Sequence, residues 1–96
     1  MDNGCASAAE SFILHAKGAS DKVLTFGSPS RGMIDFTSVN SLLLKNSGNQ
    51  NIYFGYPTGT LHKEVMERGF NKTGILPDNP VPTSEDQIQY IIDYYK

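Results

Sequence analysis

The feature that most constrains this chain is a helix near residues 7–18 that leads into a strand while no strand comes before it. A βαβ unit needs a strand on each side of its helix, and a helix needs a sheet to cover. We therefore predict that residues 1–96 are the C-terminal segment of a larger domain. The apolar residues of the helix recur with the i, i+3, i+4, i+7 spacing of a buried stripe, and they are Ala9, Phe12, Ile13 and Ala16.

Both ends of this helix carry recognisable signals. Ser7 followed three residues later by Glu10 is a capping box, so we expect the helix to start at Ser7. Gly18 suits its end, because glycine readily adopts the left-handed conformation that terminates many helices. Residues 22–26 then predict a short strand closed by Gly27.

The remaining elements are a hairpin and a second helix. Strands are predicted at 39–45 and 51–56 with a polar loop at 46–50 between them, and Ile52, Phe54 and Tyr56 alternate as in a half-buried strand. Residues 57–74 predict irregular structure, and prolines keep 77–83 extended. A C-terminal helix over about 85–96 follows, with a second capping box at Ser84 and Gln87 and an apolar face of Ile88, Ile91, Ile92 and Tyr95. The fold class is therefore α/β.

Composition excludes several functional classes. Hydrophobic residues make up 39% of the chain and the net charge is −2, which is typical of a globular domain. The basic residues are few and scattered, so we expect no nucleic-acid partner. No apolar run reaches the length of a membrane-spanning helix. The single cysteine, Cys5, excludes an internal disulfide and a thiolate-rich zinc site, and no motif predicts a metal or another cofactor.

Ser7 is the residue whose position carries the most chemistry. A serine at a helix start lies beside unpaired backbone N–H groups and the positive end of the helix dipole. Those surroundings suit a nucleophile whose tetrahedral intermediate needs an oxyanion hole. They suit equally a serine that only caps the helix, and spacing alone favours the cap.

A serine nucleophile also needs a general base, and spacing does not supply one. His15 lies about 12 Å along the helix axis from Ser7 and points about 80° round from it. Lys17 fails for the same reason, and His62 lies in the irregular region, where its position is not predicted. Cys5 is better interpreted as a small buried residue than as a second nucleophile.

Four stretches nevertheless resemble, in order, one family of enzymes: the carboxyl-terminal processing, tail-specific and tricorn-type serine peptidases. Residues 2–10 (DNGCASAAE) are similar to the family's nucleophile region, and residues 26–32 (FGSPSRG) resemble its next strand and glycine-flanked loop. Residues 55–58 (GYPT) resemble a later strand end. Residues 74–78 (GILPD) resemble the closing signature.

This resemblance implies both a fold and a reaction. The fold is the ββα spiral of the Clp protease and crotonase group, of which the chain would be the C-terminal half. Ser7 is then the nucleophile, and the backbone N–H of Ala8 is a candidate donor for the oxyanion hole.

The chain departs from the family at two polar positions. The tail-specific branch has a lysine base where this chain has Met33, which favours the tricorn-type branch, whose histidine and second serine come from an earlier part of the chain. The family's acid falls where this chain has Asn71, and Glu67 or Glu64 is the substitute we predict.

Three hypotheses follow from these patterns. The first is a serine-type endopeptidase whose base comes from outside this chain, so that the isolated segment is inactive. The second is a non-catalytic module of the same fold that binds peptides or has a structural role. The third is anion binding at the helix start beside Ser7.

The expected partners follow from the first hypothesis. They are peptide or protein substrates, together with further copies of the segment, because an uncovered stripe on the first helix favours self-association. Members of the family are often exported, and a single cysteine is compatible with a periplasmic or secreted location.

Overall fold

A computed structural model describes residues 1–44 and 52–96 of the chain. The predicted hairpin loop at 46–50 lies outside the described residues, as do the ends of the two predicted strands at Lys45 and Asn51. Within them the fold is a mixture of helices and strands, as the α/β prediction requires, with two separate two-stranded sheets. In chain order the elements are α1 (Ala8–Ala19), β1 (Phe26–Gly27), β2 (Phe36–Leu43), β3 (Tyr53–Thr60), α2 (Lys63–Met66), β4 (Asn79–Pro80) and α3 (Gln87–Tyr94).

Helix α1 forms where the sequence predicts it, but it buries a different side chain. Ser7 is its N-cap residue, and the helix runs through Gly18 to Ala19. The buried residue of α1 is Glu10, whereas Phe12 is 73% exposed. Ile13 and Ala16 of the predicted apolar stripe are half-buried, so the stripe is only partly covered within the described residues, in line with the expectation of an uncovered stripe on this helix.

Strand β1 is the centre of a small parallel arrangement. Phe26 pairs with Asn79 of β4, and Gly27 pairs with Pro80. The Asn79 N–H donates to the Thr25 carbonyl at 3.0 Å and the Val81 N–H to the Gly27 carbonyl at 2.9 Å. These donors lie on either side of Pro80, so the pairing does not need the N–H that proline lacks. On the opposite edge of β1, the Met1 amino group donates to the Phe26 carbonyl, and the Ser28 N–H donates to the Met1 carbonyl at 3.0 Å. This is the hydrogen-bond pattern of a parallel neighbour, so Met1 lies beside β1 like a strand residue.

The apolar core is thin. Phe26, Ile34, Ile75 and Val81 are its buried hydrophobic residues. Three tyrosines of the C-terminal region surround the Phe26 ring at centroid distances of 5.0–6.5 Å, and they are Tyr90, Tyr94 and Tyr95. These edge-to-face and tilted contacts attach α3 to β1.

Helix α3 begins later than predicted. Asp86 is its N-cap residue and accepts a hydrogen bond from the Gln89 N–H at 2.9 Å. The predicted capping box at Ser84 and Gln87 is therefore wrong, because the aspartate nearer the helix takes that role. The predicted apolar face is also largely exposed, with Ile88 at 72%.

The predicted hairpin is confirmed, and it is longer than the sequence indicates. β2 pairs antiparallel with β3 from Phe36 opposite Thr60 to Leu43 opposite Tyr53, so residues 57–60 continue a strand that the sequence did not predict. The strand is not half-buried as predicted, since Phe54 is 56% exposed. Neither face of this part of the hairpin packs on a core.

The hairpin makes the molecule elongated. Its radius of gyration is 17.6 Å, against about 13 Å for a compact chain of this length. The principal extents are 61 × 31 × 19 Å. Among the described residues no helix combines the length and the apolar character needed to cross a bilayer.

In the part of the chain outside the hairpin, which we call the body, Asp78 connects its own segment by hydrogen bonds to the end of α1 and to the residue before β1. Its carboxylate accepts hydrogen bonds from Lys17 in the last turn of α1, and from both the N–H and the hydroxyl of Thr25 at 2.8 Å. The Asp78 N–H in turn donates to the Thr25 hydroxyl at 3.0 Å. The hydrogen bond from Lys17, followed by those from Thr25, lowers the pKa of Asp78 from 3.8 to about 2.

This lowered pKa predicts an acid-dependent loss of stability. A carboxylate with a depressed pKa stabilises the fold above its unfolded pKa of about 3.9, and the effect is lost as the pH falls towards 2. Allowing for partial solvent screening, we expect Asp78→Asn to cost about 1–2 kcal/mol at neutral pH and little near pH 2. Urea unfolding across this pH range measures the difference. Asp21→Asn, in an exposed turn, is the control, and a cost for Asp78→Asn that did not change with pH would contradict the ionic account.

Candidate active site

The turn into α1 holds Ser7 in a backbone conformation that few residues adopt. Its φ is 51° and its ψ is −106°. The Ala9 N–H donates to the Ala6 carbonyl at 3.1 Å, which closes a four-residue turn with Ser7 at its second position. These angles match the first central residue of a type II′ turn, a position that favours glycine. A serine there costs about 1–3 kcal/mol, and such strain occurs preferentially at functional sites.

A buried carboxylate holds this turn in place. Glu10 is completely buried, and its Oε2 accepts the Ser7 N–H at 2.8 Å and the Met33 N–H at 3.0 Å. Its Oε1 accepts the Ser30 hydroxyl and the Gly32 N–H, both at 2.6 Å. Glu10 therefore performs its predicted part of the capping box and also fastens the loop between β1 and β2 to the start of α1.

The four hydrogen bonds keep Glu10 ionised. Burial on its own raises the pKa of this carboxyl group, but the hydrogen bonds from Ser30, Gly32, Met33 and Ser7 outweigh it, so that the pKa lies below its ordinary value. An ionised carboxylate is acceptor-only, which matches the four donors that surround it.

Ser30 extends the same network to the closing segment of the chain. Its hydroxyl accepts the Ile75 N–H at 2.7 Å, and its own N–H donates to the Ile75 carbonyl at 3.1 Å. The backbone of Gly74 lies so close to that of Ser30 that a Cβ added at Gly74 would lie 2.0 Å from the Ser30 carbonyl oxygen. The segments around Ser7, Ser30 and Gly74 therefore form one hydrogen-bonded unit.

Ser7 is exposed at the edge of a cleft of about 350 Å³. The polar residues that line this cleft are Ser7, Asp35 and Asn71, and Met33 lies among them. Its apolar walls come from Ile34 and from the base of the hairpin, with Phe36, Val39, Gly55 and Pro57. The structure thus places Ser7, Met33 and Asn71, which are far apart in the sequence, around one space.

Sequence reasoning missed Asp35. It lines the Ser7 cleft two residues after Met33, and its carbonyl accepts the Leu61 N–H at 3.0 Å. Asp35 is a single acidic residue immediately before β2, and it belongs to no sequence motif that would have indicated it. Asp35 is the carboxylate that the described residues offer in this cleft.

The predicted acids lie elsewhere. Glu67 is the C-cap residue of α2, and its carboxylate pairs with Lys63 at 3.5 Å on the surface. Glu64 lies in the first turn of the same short helix, with its carboxylate 3.9 Å from His62 Nδ1. Neither Glu64 nor Glu67 lines the Ser7 cleft.

Both histidines share a different cleft, between α1 and α2, with a volume of about 580 Å³. His15 Nδ1 is 2.7 Å from the Ser11 carbonyl, and His62 caps α2. The Lys17 ammonium group donates hydrogen bonds to the Asp78 carboxylate. The positions of His15 and Lys17 agree with the expectation that neither serves Ser7 as a base, and His62, whose position the sequence did not predict, also lies outside the Ser7 cleft.

The remaining predicted site residues, Ala8 and Cys5, lie close to Ser7 at the start of α1. Ala8 is the first residue of α1, so its N–H belongs to the turn that has no acceptor within the helix. Cys5 is half-buried, and its carbonyl accepts the Arg31 N–H at 2.9 Å. Across residues 1–44 and 52–96, histidine, cysteine and acidic side chains do not gather into a group able to bind a metal ion.

The chain was compared with family models, curated proteins and solved structures, and none of them matches it.

The strain at Ser7 predicts an unusual response to glycine. At an ordinary N-cap, replacing serine with glycine costs a few tenths of a kcal/mol. Here Ser7→Gly removes the backbone strain, so we expect the free energy of unfolding to rise by about 0.5–1 kcal/mol. Urea denaturation of the chain and the variant measures this change. A loss of stability would show that the turn is not strained.

Proposed function

We propose that this chain is part of a serine-type endopeptidase of the tricorn-like branch of the tail-specific family, and that Ser7 is its nucleophile. Ser7 Oγ attacks the scissile carbonyl carbon, and the C–N bond breaks. The hydroxyl proton passes to the leaving amine through a base from outside this chain. Water then hydrolyses the acyl-enzyme.

One observation carries this proposal: Ser7 is strained, exposed at a cleft and anchored by Glu10. A nucleophilic serine on a sharp turn before a helix projects its hydroxyl towards substrate, while the helix start supplies N–H donors to the oxyanion. An ordinary capping serine needs no such conformation. The N–H of Ala8 is the first oxyanion donor that we propose.

The four stretches that resemble the family also support the proposal. Glu10, Ser30 and Ile75 link three of them by hydrogen bonds, and Gly55 and Pro57 of the fourth line the Ser7 cleft. The same convergence supports a ββα spiral in which this chain forms the C-terminal half.

The test uses the full-length protein and a fluorophosphonate probe, which reacts with activated serines. We expect labelling of the protein to fall at least a thousandfold in Ser7→Ala and to persist in Ser11→Ala, a serine replaced in the same helix. Equal labelling of the two variants would contradict the assignment of Ser7. We also expect the isolated chain to hydrolyse no peptide, because its described residues bring neither a histidine nor a lysine to the cleft as a base.

A second candidate function is a peptide-binding module without catalysis. Met33 and Asn71 favour it, since neither side chain accepts a proton at neutral pH and both line the cleft. If the protein is such a binding module, we expect the full-length protein to bind extended peptides, and we expect this binding to survive Ser7→Ala. We also expect that no fluorophosphonate adduct forms. Fluorescence anisotropy of a labelled peptide library separates this function from the peptidase.

A further inference from the structure

The hairpin of β2 and β3, which we call the arm (residues 36–44 and 52–60), has a composition that is rare for an exposed element. It contains no aspartate, glutamate, lysine, arginine or histidine. Natural proteins protect exposed strands with charged side chains, especially lysine, because open strand edges pair with other chains. The described part of the arm lacks that protection.

The register of the arm divides its apolar side chains between two faces. The larger cluster lies on the face turned away from the Ser7 cleft, and Leu43 and Tyr53 are exposed on the opposite face. Leu42 lies opposite Phe54, Asn40 lies opposite Tyr56, and the Leu44 N–H donates to the Ile52 carbonyl at 2.9 Å. Because side chains alternate along each strand, these residues share one face, and the Phe54 and Tyr56 rings stack there at 6.1 Å. Val39 and Pro57 belong to the opposite face, at the Ser7 cleft. We call the first face the outer face, and its apolar members are Leu42, Leu44, Ile52, Phe54 and Tyr56.

The outer face is large enough to support association. Its five apolar residues are 41–56% exposed. Together they offer on the order of 500 Å², which is at the upper end of the apolar patches on ordinary monomers. Two such faces in contact would remove about 1,000 Å² from water, the area at which specific interfaces begin.

We propose that the outer face of the arm is the interface through which two copies of this chain associate. A surface without charge offers no electrostatic complementarity to nucleic acid, lipid headgroups or a charged protein, but it matches a copy of itself. Two hairpins stacked face to face lie about 10 Å apart in a β-sandwich, and a two-fold axis closes the contact. The arm projects from the body, which leaves room for this packing.

Neighbouring residues of β2 provide a matched test. Asn40 lies on the outer face and Ser41 on the opposite face, and both are exposed. In analytical ultracentrifugation of the chain we expect a concentration-dependent dimer. Asn40→Lys should raise its dissociation constant at least tenfold because it brings two like charges into the interface, whereas Ser41→Lys should change it less than twofold.

Further variants keep the proposal falsifiable. Phe54→Lys should give a monomer, and circular dichroism checks that it still folds; if it does not, Asn40→Lys decides, because it retains every apolar residue. Phe12→Lys tests the exposed stripe of α1 as the alternative interface. The proposal is overturned if the unaltered chain is a monomer, if Asn40→Lys and Ser41→Lys act alike, or if only Phe12→Lys dissociates the dimer.

Discussion

Replacing Glu10 with glutamine is expected to lower the free energy of unfolding by about 3 kcal/mol or more. Both carboxylate oxygens accept two hydrogen bonds each, and an amide NH₂ in either place would face donors. Hydrogen bonds to a charged group contribute about 1.5–3 kcal/mol, and each buried donor left unsatisfied costs a further 1–3 kcal/mol or so. Urea denaturation at neutral pH measures the loss.

Glu67→Gln is the matched control for this experiment. Its carboxylate is exposed and has only a surface partner, so we expect a change of about 0.5 kcal/mol or less. The pH dependence separates the ionic role of Glu10 from its packing. Because its pKa is lowered in the folded state, its contribution is present above the unfolded pKa and is lost as the pH falls through the folded value. Equal costs for Glu10→Gln and Glu67→Gln would contradict the anchoring role.

Gly74→Ala is expected to cost about 2–5 kcal/mol. Its φ is +77°, where an alanine is strained by about 1–2 kcal/mol. The new Cβ would also lie 2.0 Å from the Ser30 carbonyl oxygen, so the segment carrying Ile75 must move away from the loop. Overpacking of this kind adds about 1–3 kcal/mol.

Two other glycines isolate these two causes. Gly69 has a φ of +72° and open space where a Cβ would go, so Gly69→Ala should cost only the strain. Gly18 lies within α1, also with open space, so Gly18→Ala should stabilise the chain by about 0.5–1 kcal/mol. If Gly74→Ala cost no more than Gly69→Ala, the close approach to Ser30 would be contradicted.

Local signals predicted the parts of the fold that depend on local interactions. The helix at α1, its cap by Ser7 and Glu10, and the hairpin depend on residues a few positions apart, and all three are present. The predicted start of α3 is two residues too early because Ser84 and Asp86 are both suitable N-cap residues. Sequence spacing does not show which of the two caps the helix.

What the sequence did not reveal depends on distant contacts. Alternation along β3 indicates which residues share a face, but not whether anything covers that face, and here nothing in the described chain does. In the same way, the spacing along α1 identifies an apolar stripe but does not give the degree to which it is covered, and Phe12 is exposed while Ile13 and Ala16 are half-buried. The sequence predicts Glu10 as a capping residue only, because its second pair of donors comes from Ser30 and Gly32, twenty or more residues away.

In the candidate site too, the sequence predicts what depends on neighbouring residues and does not predict what depends on distant contacts. Ser7 was found from its place at a helix start, but its strained φ and ψ come from the turn that Glu10 anchors. Met33 and Asn71 entered through a resemblance, and only the fold brings them to the same cleft as Ser7. Asp35 was missed because one acidic residue before a strand carries no motif.

The central claim is that the folded turn before α1 makes Ser7 a nucleophile. The most direct test is mass spectrometry that maps the modified site in the full-length protein after fluorophosphonate treatment. If Ser7 is the nucleophile, we expect a single adduct on the peptide containing Ser7 when the protein is folded, and loss of that adduct when urea unfolds the protein before labelling. A folded protein with Ser7 unmodified, or with Ser7 labelled equally in urea, would contradict it.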